Sequence, residues 1–152
     1  MCSSMTKLSP LQSDWIFDLA KSMPFYRHLG ISLTKIGLGG SEIKMTVTRE
    51  LTQDAGFAHG GVAASLVDSA VGIALCTMLR PQEMITTIEL KVNFIAPAKL
   101  GLLKAKGRII HKGKHTAVGM ADVKDRRGRL IAEGLVTYMI LGTRRRRSLV
   151  IP

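Results

Sequence analysis

The chain has little that could crosslink it, anchor it or tie it to nucleic acid. Its two cysteines, Cys2 and Cys76, cannot build a disulfide framework. Cys76 falls in an apolar stretch, where a small thiol serves as core packing in a reducing compartment. No N-terminal stretch has the form of a signal peptide, and no apolar run reaches membrane-spanning length. The expected location is therefore cytoplasmic, without membrane contact. Aromatic residues make up only 5% of the chain, too few for the stacking platforms of single-strand binders. No cluster has metal-ligand spacing, no glycine-rich phosphate loop is present, and no Ser-His-Asp set stands out. No metal and no organic cofactor is expected.

Acids are also scarce: 11 Asp and Glu against 22 Lys and Arg leave a formal charge of +11. Part of the excess is the run Arg144 to Arg147. Three readings compete for it: a solvated tail, a patch for phosphorylated ligands, and a nucleic-acid or anionic-membrane contact. Charge runs at chain ends favour the first. With no nucleic-acid motif beside it, no nucleic-acid partner is expected.

What remains is ordinary globular material: 152 residues, 46% hydrophobic, enough for one domain with a real core. Residues 1–23 read as a loose leader and a short helix over Pro10 to Met23, ended by Pro24. Residues 24–142 form the main domain and 143–152 a basic tail. Ile31 to Lys35 and Ile43 to Thr48 pair as strands around a turn containing Gly37, Gly39 and Gly40. After Pro81, four strands are predicted as an antiparallel meander: Thr86 to Phe94, Leu102 to His111, Thr116 to Lys124 and Leu130 to Ile140. In the first, alternation puts Ile88, Leu90, Val92 and Phe94 on one face and Thr87, Glu89, Lys91 and Asn93 on the other. The class is α+β, with an uncovered sheet edge that association of copies would cover.

The most informative run is His59-Gly60-Gly61, which opens a helix over Val62 to Leu79 containing almost no charge. Glycines suit a tight turn and close approach of backbone to a ligand. The first amides of a helix lack intrahelical partners and carry the positive end of its dipole. Asp68 lies nine residues after His59, inside the apolar helix. A carboxylate there is costly unless paired, hydrated or functional. A polarised amide with a carboxylate at hand is equipment for adding water to a carbonyl. The plainer alternatives are a capping or core role for His59 and a bond from Asp68 to Ser65 or nearby backbone. Asp68 lies roughly 12 Å along the axis from Gly60, too far for both to reach one carbonyl. Two such helices laid antiparallel about a two-fold axis would bring Asp68 of one chain to Gly60 of the other.

These residues carry a family resemblance. His59-Gly60-Gly61 with Asp68, Thr87-Ile88-Glu89-Leu90, Asn93-Phe94-Ile95-Ala96-Pro97-Ala98, Gly113-Lys114 and the hairpin from Asp125 to Gly134 resemble the hotdog-fold acyl-CoA thioesterases of the phenylacetate-degradation (PaaI-like) type. The likeness spans Pro24 to Leu141. It implies an antiparallel sheet wrapped around a long central helix, a homodimer at minimum with sites at the subunit interface, and often a homotetramer. The implied activity is hydrolysis of acyl-CoA to acid and CoA. An aryl or a medium-chain acyl pocket lined by Phe57, Met78 and Phe94 is expected. Coenzyme A is then part of the substrate.

The resemblance also implies roles. Gly60 N–H donates to the thioester carbonyl oxygen, aided by His59. Asp68 is general base or nucleophile. Gln53 contacts the leaving thiol or the water, where many relatives carry Asn. Thr87 orients water near the acid; its neighbour Thr86 points to the other face. The basic turn His111, Lys112, Gly113, Lys114, His115, Thr116 takes the nucleotide, or is simply a solvated turn. Two other readings are a non-catalytic acyl-CoA-binding hotdog protein and a hotdog hydratase, whose Pro-Gly motif is absent.

Overall fold

The computed structural model describes residues 8–142. The Arg144 to Arg147 run and Cys2 lie outside the described residues. Ser9 caps the first helix, α1 (Pro10–Ser22), by accepting from the Gln12 amide. Pro24 ends α1 and also starts a second helix, α2 (Pro24–Leu29), because proline lacks only an amide that a first helical position does not use. This second helix was not expected from sequence. Ile16 and Ala20 of α1 and Tyr26 of α2 are buried in the same core as the central helix.

Strands β1 (Ser32–Gly37) and β2 (Gly40–Val47) close over Leu38-Gly39, and Gly39 takes the left-handed φ of 72° that the tight turn requires. A loop with one 3-10 turn (Arg49–Leu51) leads to α3 (Gly60–Cys76). Strands β3 (Met84–Phe94), β4 (Gly101–Lys112), β5 (Thr116–Asp125) and β6 (Leu130–Leu141) follow. All pair antiparallel in one six-stranded sheet, in the order β1-β2-β4-β5-β6-β3.

The meander expected after the helix is therefore corrected at its first step. β3 does not neighbour β4; it crosses to the far edge and pairs with β6, while β4 pairs with β2. Residues 95–100 make the crossing, where the Ile95 and Ala96 amides donate to the Ile131 carbonyl. Three strand spacings, roughly 14 Å, are within reach of that connection.

The helix sits directly on the sheet because small residues meet from both sides. Leu66, Val67, Ala70, Val71, Ala74 and Leu75 have no exposure. Beneath them are Ala105, Ala117, Ala121 and Ala132, together with Gly107, Gly119 and Gly134. A Cβ added at Gly107 would collide with the Ala70 carbonyl, and one at Gly134 would lie 2.6 Å from a Val67 methyl. Ser41 of β2 ties the helix down by donating to the Ala70 carbonyl at 2.6 Å. α3 stops three residues short of the predicted Leu79. The Thr77 hydroxyl donates to Ala74 O at 2.6 Å and accepts from Gly39 N, anchoring the end of α3 to the β1–β2 turn.

Candidate active site

His59 is the N-cap of α3, and its Nδ1 accepts from the Gly61 amide at 3.0 Å. That bond makes Nδ1 the unprotonated nitrogen of a neutral ring. The neighbouring amides are also committed: Ala58 N–H donates to Ala98 O, His59 N–H to Leu51 O and Val62 N–H to His59 O. Among the described residues the Gly60 amide has no protein acceptor. It sits on a cleft of about 300 Å³ lined by Gln53, Phe57, His59, Gly60, Phe94 and Pro97, among others. The glycines have local reasons. A Cβ at Gly60 would lie 3.3 Å from the Phe94 ring, and one at Gly61 would lie 3.0 Å from His59 Nδ1.

Two helical turns further on, Asp68 is half-buried and held by two hydroxyls. Thr87 donates to its Oδ1 at 2.9 Å, and Tyr138 Oη lies 2.7 Å from the same oxygen. The phenol is also 2.7 Å from the Asp68 carbonyl, so its single hydrogen serves one residue twice over. Burial first, and then the Asp68 charge, push the Tyr138 hydroxyl well above its ordinary range, so it remains a donor. No hydrogen bond engages Asp68 Oδ2 among the described residues. One carboxylate oxygen is fixed; the other is available.

The expected alternation of β3 is corrected here. Thr87 reaches α3, yet Phe94 lies against Gly60 and Val92 packs on the core. Odd and even positions share a face because a bulge intervenes: Thr87 pairs with Tyr138, but Glu89 pairs with Thr137. The extra residue, Ile88, flips the alternation and leaves its own side chain exposed.

The structure brings Thr87 to Asp68, and Gln53 and His59 to Gly60. It does not bring the two groups together within one chain, since Thr87 and Phe94 stand seven residues apart on β3, roughly 23 Å. Met78 is not at the Gly60 cleft; its sulfur lies beside Gly39, at the far end of α3. The turn from His111 to Thr116 closes β4 to β5, with Gly113 N–H donating to Thr116 O. It is level with Asp68 across the sheet, because Thr116 and Thr86 both pair with Met139.

Tyr138 was missed in the sequence reading. The signal was present: Ala132, Gly134, Val136 and Tyr138 alternate on the inner face of β6, and a buried phenol must find a polar partner. Asp68 is the one carboxylate that α3 offers. Cys76, at the end of α3, is buried, and burial pushes its thiol up to about 11, which keeps it inert.

A six-stranded antiparallel sheet around one buried helix, with an amide donor and a carboxylate on that helix, defines a hotdog thioester hydrolase. The comparisons agree. The family described as "Thioesterase superfamily" matches residues 55–132. Acyl-coenzyme A thioesterase 13 of Pongo abelii is 30% identical over 133 residues, covering 86% of this chain and 94% of its own. The 1,4-dihydroxy-2-naphthoyl-CoA hydrolase of Listeria monocytogenes is 28% identical over 112 residues, 74% of this chain and 91% of that one. Among solved structures, a thioesterase family protein of Silicibacter pomeroyi superposes with a TM-score of 0.81 at 29% identity, over 86% of this chain and 98% of that one. The E. coli PaaI protein shares the fold, with a TM-score of 0.82 at 22% identity over 90% and 97%. The chain belongs to the thioesterase superfamily. No described helix is long and apolar enough to cross a membrane.

Proposed function

We propose that the protein hydrolyses acyl-CoA thioesters at a site shared between two copies of the chain. The observation that carries this is the split pair: an unpartnered Gly60 amide on an apolar cleft, and an Asp68 carboxylate held by two hydroxyls with one oxygen free. Edge strand β3 exposes Met84, Ile88, Leu90 and Phe94, so a second copy added along it would cover apolar surface. Antiparallel addition would set Asp68 of one chain against Gly60 of the other. The exposed outer-face residues Leu135 and Met139 suit a further pairing of dimers into a tetramer.

In the proposed reaction Gly60 N–H, beside neutral His59, polarises the thioester carbonyl. Asp68 Oδ2 takes a proton from water as its oxygen bonds to the carbonyl carbon. The negative charge gathered on the carbonyl oxygen is stabilised by the amide. The C–S bond then breaks, and the thiolate leaves as CoA after taking up a proton. Thr87 fixes Asp68, and Gln53, exposed at the cleft mouth, faces the leaving group or the water. The turn from His111 to Thr116 is proposed to meet CoA phosphates, in a cytoplasmic enzyme that needs no partner besides its own copies.

The cleft size and its Phe57 and Phe94 walls support an aryl or medium-chain acyl group. So do the two relatives, one named for acyl-CoA and one for naphthoyl-CoA. A free-thiol assay with benzoyl-, phenylacetyl- and fatty acyl-CoAs tests this. Thiol release from at least one class is expected. Tight binding of all classes without release would identify a binding protein instead.

A further inference from the structure

A second cleft, of about 490 Å³, opens between the 95–100 crossover and the β5–β6 turn. Lys99, Arg126, Arg127 and Arg129 line it, with Asp125 as the one acid in the lining. That acid is consumed locally. Its Oδ1 accepts from the Arg127 and Arg129 amides at 2.9 and 3.0 Å, and its Oδ2 from Arg129 Nε at 3.1 Å. Arg129 is committed as well: its other nitrogen donates to the Pro97 carbonyl at 2.9 Å. These bonds fix the turn against the crossover. The Lys99, Arg126 and Arg127 side chains remain, exposed and without a carboxylate within 4.0 Å among the described residues.

The location gives the charge a purpose. Pro97, whose carbonyl Arg129 holds, is also a wall of the Gly60 cleft, so one loop separates the two clefts. A ligand with an acyl thioester at Gly60 and a polyanionic far end would pass from an apolar slot to a basic one. We propose that the Lys99, Arg126 and Arg127 cleft is a second anion grip, taking phosphates of the nucleotide end of the thioester substrate. This rests on the acyl-CoA reading above. It is separate from the turn at Lys112 and Lys114, since ten-residue β5 places the two turns roughly 30 Å apart in one chain. Guanidinium groups match phosphate oxygens in fork geometry, which suits Arg126 and Arg127 to this task.

The test uses the whole protein and free CoA as the probe. Calorimetry compares the parent with Arg126→Ala/Arg127→Ala and with Arg126→Lys/Arg127→Lys, and circular dichroism verifies folding. The Ala variant should bind CoA roughly tenfold more weakly, with a flatter salt dependence, and the Lys variant should recover part of the loss. The KM for the acyl-CoA ester should rise by a similar factor, and much less for the matching acyl-pantetheine, which lacks the nucleotide. Unchanged CoA affinity in a folded Ala variant overturns the grip while parental thioester hydrolysis leaves the acyl-CoA reading standing. A parent that neither binds CoA nor cleaves its esters overturns both. Loss of oligonucleotide retention with CoA affinity intact would assign the cleft to nucleic acid and overturn the grip.

Discussion

At its start, α3 presents backbone: a free amide kept accessible by two glycines, beside an exposed capping histidine. Two turns further on it presents a side chain, Asp68, gripped by hydroxyls from two different strands. The first region is an open cleft between the start of α3, the loop before it and the crossover after β3. The second is half-buried, and its order depends on residues 19 and 70 positions away in sequence. An electrophile needs access and a donor that does not move; a half-buried carboxylate on an apolar helix needs polar partners that hold it and aim it. Each region is incomplete for hydrolysis. The same helix carries both at a spacing that forbids them from meeting in one chain.

The sharpest way to break this comparison is to remove the charge and keep the shape. Asp68→Asn should lower turnover by roughly 100-fold or more while leaving acyl-CoA binding near parental. Steady-state kinetics and calorimetry on the same preparation check it. Near-parental turnover would remove the half-buried region from the chemistry.

A smaller effect is expected at Tyr138. Tyr138→Phe keeps the ring that packs beside Gly72 but deletes the donor to Asp68. Loss of roughly tenfold in kcat/KM is expected. The loss should fall on kcat rather than on KM, because the deleted hydroxyl holds Asp68 and does not line the Gly60 cleft. If Tyr138 only fills space, kcat will stay near parental.

How far the sequence disclosed this arrangement depends on what each feature rests on. The six strands, α1 and α3 were legible from periodicity and turn residues, which act locally; the short α2 was not, because Pro24 reads as a stop for α1 before it reads as a start. The His-Gly-Gly opening of α3 was legible too, because capping and glycine geometry are properties of a few adjacent residues. The edge position of β3 was not, since strand order depends on which surfaces fit, here the glycine and alanine floor under α3. Nor was the bulge at Ile88, whose effect on Thr87 is set by the register against β6. Thr87 was placed near the acid by family likeness, while simple alternation would have set it on the face opposite Phe94. Tyr138 needed both pieces: an inner-face reading of β6, and the knowledge that this part of β6 lies over Asp68.

Mixing variants tests whether the two regions meet across chains. Asp68→Asn disables one half and Gly60→Pro the other. Gly60 is the first residue of α3, where proline is tolerated, and His59 already has the extended backbone that precedes proline. The Pro variant should therefore fold and lose only the amide donor and some fit against Phe94. Co-expressed in equal amounts, about half of all dimers are mixed and each mixed dimer has one intact site, so activity should return to about a quarter of parental. Verified mixed dimers without activity would put Gly60 and Asp68 to work in the same chain.

The smallest expected effect concerns how dry the core is around the C-terminal half of α3. Burial pushes Cys76, the last residue of α3, from 9.0 to about 11, and Tyr26, whose hydroxyl donates to the Ser69 carbonyl of α3, from 10.0 to about 12. In the unfolded chain these groups ionise at their ordinary values; in the fold they hold their protons to higher pH. Where a folded value is raised, the stability it carries is complete below the unfolded value and is lost as pH rises through the folded one. Denaturation midpoints should therefore be flat with respect to Cys76 below about pH 9 and fall between about pH 9 and about pH 11. The tyrosines should extend that fall toward about pH 12. Cys76→Ala removes the earliest part, so its midpoint should decline less steeply across the first interval even if its neutral-pH stability is lower. Parallel declines in parent and variant would mean that water reaches the thiol in the fold, and the boundary between the open start of α3 and its dry end would have to be redrawn nearer to Asp68.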